Sequence, residues 1–290
     1  MTTAAANSRT YQSTDTEVCD YQLFRLPLSP LYFRGPAPPH GRRPQIAILG
    51  AAQSFGRFVE KPYPNLLSDE LGVDVLNLSY AGAGPDFYLR RPELIHYANQ
   101  ADACIVQVMS ARSVDTFLYR VVREANVRRA AELPVGRPRG ADQMIDWYIK
   151  TYGEDEARLL LVDMRSRYLA ATITLLKAIR VPKILLWFAQ RMPDYEPGYV
   201  SRWAMLGGFP QGVDRALVRA MADQADGYCE CVTARGSPQL LVNQGGAIAW
   251  ANLGGRRTCL NAYYPSPEMH VDAAAALAPM LAVLGGGGPA

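Results

Sequence analysis

The sequence predicts a single α/β domain: a three-layer α/β/α sandwich around a mostly parallel five-stranded sheet, spanning residues 44–284. Three observations carry this expectation. Short apolar runs without polar–apolar alternation recur along the chain, as strands buried on both faces require. Helix-length segments separate them, which favours parallel crossovers over hairpins. Several runs end at glycine or in a glycine-containing turn, where ligands of such sheets bind.

Ile46-Ala47-Ile48-Leu49 is the first run and stops at Gly50. Pro64 to Leu71 carries leucine at helical spacing and ends at Gly72. Val73 to Leu78 reads as the second strand, followed by the Gly82-Ala83-Gly84-Pro85 turn, and Leu89 to Ala98 is helical in pattern. Ala103 to Met109 is the third buried-type strand. Residues 110–158, interrupted by Pro134 and Pro138, read as a helical insertion or mobile cover. Leu160, Met164, Leu169, Ile173 and Leu176 stripe a helix over Ala157 to Ile179. Lys183 to Phe188 and Gly227 to Val232 supply the last two strands, with a helix over Val213 to Met221 between them. An Ala-rich helix over Val271 to Leu284 closes the domain, and residues 285–290 form a Gly-rich tail. Residues 1–43 are a flexible tail and a lead-in; the stretch 21–43 holds five prolines and two glycines.

Composition narrows the function. The chain has 290 residues, 49% of them hydrophobic and 20% charged, as in ordinary globular proteins. A formal charge of +3 offers no concentrated phosphate-binding surface, so nucleic acid is not an expected partner. The densest cluster, Arg128, Arg129, Arg137 and Arg139, reads as an exposed loop. No apolar stretch reaches bilayer-spanning length and no signal-peptide core is visible, so the expectation is a cytoplasmic protein without membrane insertion. Five widely spaced cysteines suggest neither a disulfide framework nor a metal site, and no cofactor motif is present.

Of three histidines, His40 lies in the lead-in, His96 inside a predicted helix, and His270 between a Tyr-Pro loop and the last helix. A neutral imidazole at such a junction suits proton transfer. The turn Gly50-Ala51-Ala52-Gln53-Ser54-Phe55-Gly56-Arg57 exposes backbone N–H groups and carries a hydroxyl, so Ser54 is either a nucleophile or a local cap. Gly50, Gln53, Asn77 and Gly82 are candidate oxyanion or ligand donors, and Ser110 and Arg112 cluster after the third strand. Arg34, Arg57, Arg112 and Arg191 come from separate segments and would clamp an anion if they converged.

The order of these motifs resembles the SGNH hydrolase superfamily, with its flavodoxin-like sandwich, and is closest to an uncharacterised bacterial SGNH-like family. Gly50 to Gly56 is similar to the nucleophile block, Asn77 to Gly82 to the block holding the oxyanion glycine, and Gln107 to Arg112 stands in the third block's place. Phe33-Arg34-Gly35-Pro36 and Tyr263 to His270 resemble the bacterial family, and His270 takes the position of the terminal histidine. Two positions depart: Ala52 occupies the usual nucleophile site, and Pro267 occupies the site of the acid. The resemblance implies an esterase or acyltransferase acting on an acyl ester of a carbohydrate or small metabolite, with Ser54 attacking and His270 as base. Two alternatives remain: direct transfer from an anionic acyl or sulfuryl donor with His270 as base, and a non-catalytic binding protein for an anionic ligand.

Overall fold

Strands buried on both faces are where this chain concentrates its β-branched and aliphatic residues, and they form the centre of the computed structural model. The structure describes residue 15 and residues 17–39, 43–123, 126–129 and 139–285. An antiparallel pair, β1 (Phe24–Arg25) and β2 (Tyr32–Phe33), precedes the main sheet. Next come β3 (Ile46–Leu49), α1 (Ala52–Phe55), α2 (Tyr63–Leu71), β4 (Val75–Asn77), α3 (Pro85–Leu89), α4 (Pro92–Ala98) and β5 (Ala103–Gln107). An arm follows: β6 (Tyr119–Arg123), β7 (Asn126–Arg129), β8 (Arg139–Gly140) and α5 (Ala141–Tyr152). The long α6 (Glu154–Ala178) leads to β9 (Lys183–Ala189), α7 (Arg202–Leu206), α8 (Arg215–Ala222) and β10 (Gly227–Val232). The last stretch holds β11 (Gln239–Leu240), β12 (Ala251–Leu253), β13 (Arg256–Thr258), β14 (Leu260–Asn261) and α9 (Pro267–Gly285).

The main sheet has the order β10-β9-β5-β3-β4, and every pairing in it is parallel. Counted along this sheet, the order is the flavodoxin-like 2-1-3-4-5, which places a topological switch point between β3 and β5. Alternation along β3 divides the core. Ile46 and Ile48 face one layer with Tyr63, Leu67, Met269, Ala273 and Leu277 of α2 and α9. Ala47 and Leu49 face the other with Tyr88, Leu94, Leu160, Met164 and Val218. The three-layer α/β/α sandwich expected from the sequence is therefore present.

Several boundaries differ from expectation for identifiable reasons. The helix anticipated over Leu89 to Ala98 is two helices, because Pro92 keeps Arg91 out of helical conformation (φ −131°, ψ 72°). The insertion is not wholly helical, since β6, β7 and β8 form an antiparallel sheet before α5 begins. Arg128, Arg129 and Arg139 thus lie on strands of that arm, while Arg137, Pro134, Pro138 and His40 lie outside the described residues. The last helix starts four residues early. Ser266 Oγ accepts the Met269 N–H at 3.2 Å and Pro267 opens the helix, so His270 sits within its first turn and not ahead of it. Within the lead-in, Tyr21, Phe33 and Arg34 are fully buried against the domain. Among the described residues, no helix is long and apolar enough to cross a membrane.

Candidate functional site

The carboxyl ends of β3 and β5 flank the switch point, and the turn after β3 is pinned there by hydrogen bonds. Gly50 is needed for close approach: a Cβ on it would lie 2.6 Å from Gln107 Oε1 and 2.8 Å from Ser54 Oγ. Gly50 N–H donates to Tyr88 Oη at 2.8 Å, and Tyr88 Oη donates back to Gly50 O at 2.7 Å. Gly56 ends α1 in the left-handed region (φ 78°), with its N–H shared between Ala52 O and Gln53 O.

Ser54 is fully buried and its hydroxyl is occupied on both sides. It donates to Gln107 Oε1 at 2.8 Å and accepts from Tyr63 Oη at 2.8 Å. Gln107 Oε1 also accepts the Ala51 N–H at 2.9 Å, which fixes the amide orientation because a backbone donor must meet the oxygen. The other end of that amide, Nε2, is buried with no protein partner. Burial holds the Tyr63 phenol far above its ordinary pKa, so Tyr63 remains a donor to Ser54 and cannot serve as its base.

His270 spends its hydrogen bond on Tyr63 and not on Ser54. Its ring stacks on Tyr63 (centroids 5.9 Å apart, planes 23° apart) and meets the edge of Phe188 at 5.1 Å. Nδ1 accepts the Tyr63 N–H at 3.1 Å, an otherwise orphaned amide in the first turn of α2. An imidazole nitrogen that accepts a backbone N–H carries no proton, so in the neutral ring the proton is on Nε2. Neutrality is enforced by burial, assisted by the nearby Arg34 charge, which together push the His270 pKa down to about 3. His270 therefore presents a buried Nε2–H donor with no protein partner. A general base needs the opposite tautomer, with a bare Nε2.

The remaining predicted donors are mostly taken up by the fold. Asn77 Nδ2 donates to Ser54 O at 3.0 Å and Asn77 Oδ1 accepts the Ser79 N–H, so this residue secures the turn. Gly82 lies in the turn between β4 and α3. Gln53 is buried with Oε1 unpartnered, as is the Ser79 hydroxyl. Ser110 Oγ donates to Gln211 Oε1 and accepts the Gln211 N–H at 3.1 Å, tying the end of β5 to the loop before α8.

The four arginines are held by different partners, although the charges of Arg57 and Arg112 both reach Tyr264. Arg34 is buried and donates to the carbonyls of Gly56 (3.3 Å), Val59 (2.8 Å) and Glu60 (2.6 Å), fastening the lead-in; burial lowers its pKa. Arg57 pairs with Asp15 at 2.6 Å and donates to Tyr264 Oη at 2.9 Å. Arg191 lies over Trp187 and Tyr195 and holds the carbonyls of Met192, Gly208, Pro210 and Val213, burial bringing its pKa down to about 10. Arg112 pairs with Asp142 at 3.3 Å and keeps a buried Nε without an acceptor. Three of the four are thus engaged in organising loops, and Arg112 alone keeps a buried nitrogen without an acceptor. Among the described residues no cluster of His, Cys, Asp and Glu could hold a metal ion.

Sequence reasoning missed Tyr63 and Gln107 as the partners of Ser54. Gln107 does carry a signal: it is a lone polar side chain at the carboxyl end of an otherwise apolar buried strand. Tyr63 carries none, since an aromatic residue at the start of a helix reads as core.

Comparison with known proteins finds one family model and remote structural likenesses. A family model described as "Domain of unknown function (DUF6473)" matches residues 9–133. A comparison with curated proteins finds no match. Among solved structures, the chain has a remote likeness to a carbohydrate esterase family 2 enzyme with a carbohydrate-binding domain from Corynascus thermopiles (Myceliophthora fergusii). That match has 15% identity, 88% of this chain, 69% of that one and a TM-score of 0.39. An acetylxylan esterase from Geobacillus stearothermophilus matches at 14% identity over 82% of this chain and 94% of its own, TM-score 0.40. A psychrotrophic esterase from Pseudoalteromonas sp. matches at 13% identity over 81% and 97%, TM-score 0.41.

Proposed function

We propose that the protein binds an acylated carbohydrate or similar carbonyl-bearing small metabolite at the β3–β5 switch point. The ligand is held by neutral hydrogen bonds and is not turned over through a serine nucleophile. One observation carries this reading. The Ser54 hydroxyl donates to Gln107 and not to a base, while Gln107 Nε2 and His270 Nε2–H are buried donors at the same end of the sheet without protein partners. An unpartnered buried donor costs about 1–3 kcal/mol, and a ligand carbonyl or hydroxyl oxygen would relieve it. The donors at this locus are neutral groups, because the guanidinium N–H groups of Arg34, Arg57 and Arg191 are bonded within the fold.

Calorimetric titration of the full chain with acetylated xylo-oligosaccharides tests this, alongside an assay for acetate release. The expected result is saturable binding that His270→Phe abolishes, with no acetate released. Acetate release that Ser54→Ala eliminates would overturn it in favour of esterase chemistry. That second reading has its own specific support: Ser54 and His270 both contact Tyr63, so the pair is one side chain away from a couple. Hydrolysis would require His270 to release the Tyr63 N–H and adopt the other tautomer, and Ser54 to leave Gln107.

A further inference from the structure

Between β10 and α9 the chain makes an excursion that the sheet-edge site does not use. Residues 239–243 and 247–251 run antiparallel, joined by the Val242–Ile248 bridge and by Ala249 N–H donating to Leu241 O at 2.9 Å. On its other side, β11 pairs with β14, setting Leu240 opposite Leu260. The register that matches Val242 with Ile248 places Leu240 opposite Trp250, so Leu260, Leu240 and Trp250 form one cross-strand row and Val242 and Ile248 the next.

Alternation along these strands separates two faces. Leu241, Ala249 and Ala251 point inward and pack with Phe58. Leu240, Val242, Ile248, Trp250 and Leu260 point outward, and all five are large apolar side chains between 43% and 57% exposed. Scattered exposed apolar residues are ordinary, but five on one continuous face mark an interaction surface.

Charge decides the partner. From Pro238 to Pro267 there is no aspartate or glutamate, while Arg256 and Arg257 are both exposed on β13. Arg257 pairs with Asn252, two residues from Trp250 on the outward face, and its guanidinium lies 5.7 Å from the centre of the Trp250 ring. Neither arginine has an ion pair among the described residues. Tryptophan and aliphatic side chains bordered by unpaired cations suit the interface of a bilayer carrying anionic headgroups, where Trp favours the headgroup level and each basic residue adds attraction. A second copy fits less well. The five side chains offer on the order of 500 Å², against ~800 Å² per partner in a standard stable interface, and two-fold pairing would bring like charges onto the same patch.

We infer that the outward face of residues 239–261 docks the protein peripherally on an anionic lipid surface, with Trp250 in the headgroup layer and Arg257 against lipid phosphate. Co-sedimentation of the full chain with vesicles of phosphatidylcholine and phosphatidylglycerol tests this directly, with pure phosphatidylcholine vesicles as the neutral comparison. Binding is expected to the mixed vesicles, to weaken at 0.5 M NaCl, and to fall about fivefold for Arg257→Gln, the effect of one basic contact. The double variant Leu240→Ser/Trp250→Ser alters only exposed side chains and should abolish binding. Brominated lipid should quench wild-type fluorescence more than that of Trp250→Phe. Equal binding by the double variant, no binding to mixed vesicles at millimolar lipid, or a dimer in solution that Trp250→Ser dissociates would each overturn the inference.

Discussion

In the turn after β3, Gly50, Ala51 and Ser54 all have their hydrogen-bonding groups matched by Tyr88 and Gln107, with Tyr63 completing Ser54. The first turn of α9 reaches the same end of the sheet and differs: His270 is equally buried, yet one of its ring nitrogens has no protein partner. Under the proposed function, the difference separates the serine, which holds the site, from the histidine, which joins Gln107 Nε2 in meeting the ligand. A serine whose bonds are all internal contributes to stability. A histidine kept buried and half-satisfied weakens the fold, and the fold carries that cost where a ligand atom can offset it.

The largest test of this contrast is acidity. An imidazole in the unfolded chain takes a proton near its ordinary value of 6.5, whereas folded His270 resists protonation until about 3. Between those values the unfolded state binds the extra proton, so stability present above ~6.5 is lost progressively as pH falls towards 3. A shift of this size corresponds to a few kcal/mol. Thermal melts between pH 8 and pH 4 should show it, and His270→Phe should flatten the slope; an unchanged slope would mean that the ring is not held neutral.

Next in size is Arg34→Met, which leaves the carbonyls of Gly56, Val59 and Glu60 without their shared donor. A loss of about 3 kcal/mol is expected in urea unfolding, with little change in the β3–β5 site's ligand affinity once the protein is folded. Ser54→Ala should cost about 1–2 kcal/mol, because Tyr63 Oη loses its acceptor in the core. Ligand affinity in that variant should stay within about threefold of wild type, and a complete loss of ligand binding would place Ser54 among the functional groups after all. Smallest is the effect of His270→Phe on stability at pH 8. The Tyr63 amide loses a partner while a buried unpartnered N–H disappears, so the net change should lie within about 1 kcal/mol and the binding loss should stand alone.

The main sheet was legible because its central strands are buried on both sides and its edge strand β10 buries alternate residues. Ile46–Leu49, Ala103–Gln107 and Lys183–Ala189 read as largely apolar runs and Gly227–Val232 as an alternating one, and all four pair in the observed sheet. The arm was not legible for the converse reason. Tyr-Arg-Val-Val-Arg and Asn-Val-Arg-Arg lack both a continuous run and a clean alternation, so nothing local distinguishes β6 and β7 from loop. At the site, the serine, histidine and glycine positions could be read from their order along the chain. The partnerships could not: whether Arg34 meets a ligand or three carbonyls, and whether His270 faces Ser54 or the Tyr63 amide, is decided by tertiary packing. The imidazole tautomer follows from a single backbone hydrogen bond, which no residue pattern encodes.

Tyr63 touches both halves of this comparison through different atoms, its phenol on Ser54 and its amide on His270. It bridges the two, engaging the hydroxyl through its side chain and the imidazole through its backbone. A smaller side chain at position 63 therefore frees the Ser54 hydroxyl of its phenol donor without altering the serine or the histidine.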